Sequence, residues 1–184
     1  APPDARAAGA GAPLPKEERA PRVMSAFEKK AVASLEAAFA SASEAGRADA
    51  LAQGDARVAD LVRERYIESC QELEAKPNSQ ALERIATVHS RKGQDGCAES
   101  SYDFGASYLG DRGAICVLRA LAFDPHCTAV SLAACGLRHA SALCLAVFLR
   151  LHPRVRHMDL AQNSLSYDAG EVLLSGLTSS APAP

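Results

Sequence analysis

Eight residues, Val130-Ser131-Leu132-Ala133-Ala134-Cys135-Gly136-Leu137, return 28 positions later as Met158-Asp159-Leu160-Ala161-Gln162-Asn163-Ser164-Leu165. The same interval toward the N-terminus finds a looser copy, Tyr102-Asp103-Phe104-Gly105-Ala106-Ser107-Tyr108-Leu109. A fixed period of this length restricts the chain more than composition does. Each unit is one supersecondary element that cannot bury its own apolar face, so the copies must stack and share a core.

The spacing inside each unit says which elements they are. In the first eight residues polar and apolar positions alternate, as on a short strand: Val130 and Leu132 point one way and Ser131 the other. Met158 and Leu160, and Tyr102 and Phe104, repeat that alternation. A turn through Leu109, Leu137 or Leu165 then leads into a helix. Its apolar positions also match at 28 residues: Ala114, Ala142 and Gly170; Val117, Leu145 and Leu173; Leu121, Leu149 and Leu177. Spacings of three, four and seven within each set predict one apolar helical stripe.

The pattern L-x-x-L-x-L-x-x-N/C-x-L resembles the leucine-rich repeat family, and a helix in every 28-residue unit looks like its ribonuclease-inhibitor type. That resemblance covers residues 99–180. It implies an α/β fold, a short solenoid of about three strand–helix repeats preceded by an α-helical N-terminal cap. At position nine the family places Asn or Cys to satisfy backbone groups of a buried turn. Here the position holds Ser107, Cys135 and Asn163, so Ser107 departs from the pattern. Position one is Cys127 and Val155 but Glu99 in the first copy, the irregularity of a repeat beside a cap.

Upstream of the repeats the pattern changes. Residues 1–21 are Ala, Pro and Gly with scattered charge, too little apolar surface to offset ordering entropy, and are expected to be a disordered tail. Residues 22–89 read as a helical cap region. Val23, Phe27, Ala31, Leu35 and Phe39 lie four apart, predicting an amphipathic helix over 22–41. A second stripe, Val58, Val62, Tyr66, Cys70 and Leu73, predicts a helix from Gly54 to Ala75 that Pro77 stops. Asn78-Ser79 offers an N-cap for a short helix carrying Leu82, Ile85 and Val88. Residues 90–100 read as a polar connector, with the repeats at 101–184. The string Tyr66-Ile67-Glu68-Ser69-Cys70, followed by Pro77 and Leu82, is similar to a helical segment before the repeats of several intracellular proteins, some cytoskeletal or ciliary. Such helices are expected to cover the open apolar end of the first repeat.

Charge excludes some functions. The net charge is −2, and all five lysines fall in the first half, so no surplus positive field awaits nucleic acid or an anionic membrane. No apolar run approaches the ~20 residues of a membrane span. The 48% hydrophobic content is inflated by 38 alanines, and Trp is absent. The six cysteines include no C-x-x-C; Cys116 and Cys144 differ by the repeat period, which marks packing thiols in a reducing compartment rather than a metal site. Asp103-Phe104-Gly105 spells the kinase metal-binding triplet but lacks every other kinase motif, and Gly110-Asp111-Arg112-Gly113 lacks the G-K-[ST] of a phosphate loop. The five histidines include no H-E-x-x-H, and no G-x-S-x-G frames a serine. The expectation is a non-enzyme with no catalytic residues, no metal and no cofactor.

The strand face remains. The outward positions of the three strands are Asp103, Ser131 and Asp159, flanked by Ser101, Ala129 and His157, by Ala106, Ala134 and Gln162, and by Arg156 at the edge. An extended concave surface suits a protein partner. The third repeat carries the longest polar groups there, so Asp103, Ser131, Arg156, His157, Asp159 and Gln162 are the candidate contacts. The family resemblance implies a protein-binding module or scaffold, intracellular and cytoplasmic, in a cytoskeletal or ciliary setting. The other reading is a regulator of a small GTPase, because one branch of the family activates hydrolysis on its partner; no residue here matches that activity. Thr178-Ser179-Ser180-Ala181-Pro182 falls where another strand is due, so the natural protein is expected to continue past Pro184.

Overall fold

The computed structural model describes residues 23–42, 55–95, 99–152 and 154–178. The expected tail at 1–21 lies outside them. Ser25 starts the first helix, α1 (Ala26–Ser41): its side chain accepts from Glu28 N while the Glu28 carboxylate accepts from Ser25 N at 2.7 Å. Of the stripe read from sequence, Ala31, Leu35 and Phe39 are buried, Phe27 is half-buried and Val23 is exposed.

The second helix, α2 (Asp55–Glu72), buries Val58, Val62, Tyr66 and Cys70. It ends because Glu74 takes a left-handed conformation (φ 52°) and Ala75 N donates back to Cys70 O at 2.8 Å. Arg112 reaches over from a later element to donate to the carbonyls of Leu73 and Glu74, where a cation complements the helix dipole. Asn78 then caps α3 (Ser79–Asp95), its Oδ1 accepting from Ala81 N. This helix runs through Asp95, into the stretch read as a connector from residue 90. Nothing between His89 and Asp95 forbids it, since the segment has no proline and its Arg, Lys and Gln are good helix formers.

From there strands and helices alternate: β1 (Ser100–Asp103), α4 (Gly110–Leu121), β2 (Cys127–Ser131), α5 (His139–Leu151), β3 (His157–Asp159) and α6 (Tyr167–Thr178). The strands form one open parallel sheet in the order β1-β2-β3. Parallel neighbours need a crossover, and here each crossover is a helix. The helices pack in the same order, α2 on α4, α4 on α5 and α5 on α6, while α3 packs beside β1. The result is a mixed α/β architecture. The first helix lies across α4 and α5: its Glu36 meets Arg150 of α5 at 3.2 Å, and its Lys30 Nζ donates to Glu72 O at the end of α2.

Burial grades along the rungs. Tyr102, Phe104, Val130, Leu132 and Leu137 are buried, as are Val117 and Leu145 on the helices. Met158, Leu160, Leu165 and Leu173, one period further on, are only partly buried. Inner rungs have apolar neighbours on both sides; among the described residues the third has them on one. Leu132→Ala is therefore expected to cost ~2–5 kcal/mol by leaving a closed cavity. Leu160→Ala, at the same repeat position, should cost less than half as much. Urea unfolding of the two variants checks the ordering.

Candidate functional site

Strand register brings the sequence-singled residues into columns. Ser101 pairs with Ala129 and Ala129 with His157; Asp103 pairs with Ser131 and Ser131 with Asp159. Strand spacing puts the two carboxylates of the second column ~10 Å apart with Ser131 between them. Asp103, Asp159, Arg156, His157 and Gln162 are exposed and Ser131 is half-buried.

Both aspartates are positioned by the same local device. Asp103 Oδ1 accepts from Gly105 N at 2.8 Å, and Asp159 Oδ1 accepts from Ala161 N at 3.0 Å, a side chain holding the backbone two residues on. Their other oxygens differ. Asp103 Oδ2 lies 3.7 Å from Arg84 Nη1 on α3. Asp159 Oδ2 takes a long 3.4 Å bond from Ser131 Oγ, and among the described residues no ion pair joins it to Arg156. Its carboxylate is thus the freer of the two. The Arg84 contact links elements far apart in sequence, and no local pattern announces it.

Behind this face sit the turn residues. Asn163 Oδ1 accepts from Cys135 N and Leu137 N, both at 3.0 Å, and its Nδ2 donates to Leu132 O at 2.8 Å and Leu160 O at 3.0 Å. One amide side chain so holds the backbone of the preceding turn. Cys135 Sγ does part of the same for the turn before, donating to Phe104 O at 3.1 Å. Ser107 Oγ is buried and finds no partner among the described residues, and it is Asn78 Nδ2 that donates to Ser107 O at 2.8 Å. Ala106, Ala134 and Gln162, each just before position nine, share a left-handed backbone (φ 56°, 53° and 57°). Replacing Asn163 with Ala leaves two amides and two carbonyls short of a bond, and is expected to destabilise by ~2–4 kcal/mol in urea unfolding.

A further inter-rung contact escaped the sequence reading. Asp111, in the first turn of α4, sends Oδ1 to the start of α5, where it accepts from Arg138 N at 2.7 Å and from Ser141 Oγ at 2.6 Å. A carboxylate at a helix N-terminus satisfies open amides there. The signal in sequence was only an Asp after Gly110, which any solvated turn would carry.

Five described cysteines are buried free thiols. Burial and charged neighbours push Cys144 up to about 12, and burial raises Cys135. Cys70 is lowered by the hydrogen bond of the Cys116 thiol, yet it is sealed inside the core. Among the described residues no group of three His, Cys, Asp or Glu is placed to hold a metal ion. No described helix is long and apolar enough to cross a membrane. Two clefts of about 320 and 330 Å³ are lined by helix residues with Phe123 in one and Met24 in the other, and by no strand residue. No protein-family model matches the sequence, and no curated protein is similar to it.

The buried thiol and phenol have a consequence for alkaline stability. Burial raises Tyr102, helped by the Asp124 carboxylate that its hydroxyl meets at 2.6 Å. Cys144 and Tyr102 keep their protons to higher pH folded than unfolded, so their stabilising contribution is complete below the usual values of 9.0 and 10.0. It is lost as pH climbs past those values. Unfolding free energy should therefore fall as pH rises from 9.0 toward 12. Cys144→Ala should flatten that fall in urea titrations at stepped pH.

Proposed function

We propose that the chain is a leucine-rich repeat module of the ribonuclease-inhibitor type that binds a protein partner on its strand face. The observation that carries this reading is the registered column Asp103, Ser131 and Asp159, whose two carboxylates are held outward by bonds to the backbone rather than spent on the core. Folding needs the inward residues of each strand; it does not need these. The 28-residue recurrence of the strands, the left-handed turn residues and the bonds made at position nine support the repeat assignment. Buried free thiols support a reducing, intracellular compartment, and the module acts there as a scaffold of cytoskeletal or ciliary type.

A flat row of carboxylate, hydroxyl and imidazole without a deep pocket fits an extended polypeptide better than a small molecule. The freer Asp159 carboxylate is the anchor, accepting a charge-assisted bond from a basic side chain of the partner. Two variants test the reading against a partner recovered by affinity capture and then purified. Asp159→Lys reverses the anchor and Ser131→Arg fills the column beside it; each should weaken binding by at least ~1.4 kcal/mol, tenfold. Circular dichroism should show the fold intact. Unchanged affinity in both, with loss on substituting the exposed face of α1, would move the site to the helices.

A further inference from the structure

Two of the buried thiols belong to one contact. Tyr66 and Cys70 stand four apart on α2 and so share a face, and α2 packs on α4, which carries Cys116. All three side chains are fully buried, and both cysteines are free. The Cys116 thiol donates to the Cys70 sulfur across the helix interface, and the Tyr66 hydroxyl donates to the same sulfur. The phenol is turned for this, because its oxygen already accepts from Asn78 N at 3.0 Å. Packing alone asks for an apolar side chain at position 70. It does not ask for two donors on it.

Two donors on one sulfur make the pair unequal. The bond from Cys116 lowers Cys70 below its usual 9.0; burial works against this, and the Tyr66 bond adds to it. Cys116, the donor in that bond and buried besides, is pushed up and keeps its proton. The thiolate is the attacking form of cysteine, and a neighbouring thiol resolves the oxidised product. The pair also has an approach. Ser69, next to Cys70, and Arg119, one turn after Cys116, both line the cleft of about 320 Å³. Arg119 lies close enough for its charge to act on the Cys116 thiol. Its Nε and Nη1 are buried and meet no acceptor among the described residues. Hydrogen peroxide is little larger than water, and its oxygens can accept from such donors.

We propose that Cys70 and Cys116 are a site of reversible oxidation, where hydrogen peroxide closes a disulfide that clamps α2 to α4. The Cys70 thiolate attacks one peroxide oxygen. An S–O bond forms, the O–O bond breaks, and the departing hydroxide takes the proton that Cys70 had shed. The Cys116 sulfur then attacks the Cys70 sulfenic acid. The S–S bond forms, the S–O bond breaks, and hydroxide leaves with the Cys116 proton as a second water. Two thiols lose two electrons and two protons, and the peroxide becomes two waters. A dithiol reductant reverses the bridge by exchange. The clamp ties the helices ahead of the repeats to the first repeat, whatever the strand face binds.

Peroxide treatment of the native chain, followed by alkylation and peptide mapping without reduction, tests the proposal. A Cys70–Cys116 link is expected as the main disulfide, and dithiothreitol should remove it. The urea midpoint of the oxidised chain should rise, because the bridge restricts the unfolded state. Cys116→Ser keeps a donor but removes the resolving thiol, so dimedone should trap a sulfenic acid at Cys70. In Cys70→Ser, Cys116 should stay unlabelled. Tyr66→Phe removes one donor from the Cys70 sulfur and should slow formation of the link at least ~threefold, with circular dichroism unchanged. No disulfide or a different main pair, a link that forms only in urea, or a lowered urea midpoint would overturn the proposal. Dimedone on Cys116 in place of Cys70, or an unslowed Tyr66→Phe, would do the same.

Discussion

A buried turn cannot be left with open amides, and this fold meets that requirement by having each rung bond the backbone of the one before it. Asn163 is the fullest case, with one side chain joined to five backbone groups of two neighbouring turns. Cys135 supplies a single sulfur bond at the equivalent place, and Ser107 supplies none. Asp111 extends the same logic to the helices by capping the start of the following one. Stability is thus shared between neighbours: a rung is as firm as the groups on both sides of it. That dependence explains why the inward strand residues are buried in the first two rungs and only partly buried in the third.

The strand face follows from the same arrangement. Parallel strands in register line up equivalent residues, so a polar residue at one position of the unit becomes a column across the sheet. Asp103 and Asp159 look alike in sequence, and the same backbone bond shapes both. Their surroundings separate them, because α3 brings Arg84 to the first and, among the described residues, no comparable cation reaches the second. A surface repeated by the fold is made unequal by its ends.

How much of this was legible in the sequence depended on the range of the interaction. The strands around Tyr102, Val130 and Met158 and the helices after them were readable, because a 28-residue period combined with periods of two and 3.6 leaves few alternatives. The position-nine residues could be singled out for the same reason. The placement of α1 was not readable. Its stripe of Ala31, Leu35 and Phe39 shows that it is buried somewhere, but an apolar stripe does not name its partner, and it packs across α4 and α5. The end of α3 was misplaced because polar composition was read as connector when the backbone continues to Asp95. Leu160 matched Leu132 in pattern but not in burial, since pattern records the position in a unit and not whether a neighbour stands beyond it.

Native-state hydrogen exchange measures that neighbour dependence directly. Amides of α4 and β2, enclosed by packed elements on both sides, should exchange only through global unfolding, and those of α6 should exchange earlier through local opening of the third rung. Exchange of α6 at the same slowest rate as α4, with the same denaturant dependence, would contradict the account, because the last rung would then be as firmly held as those enclosed on both sides.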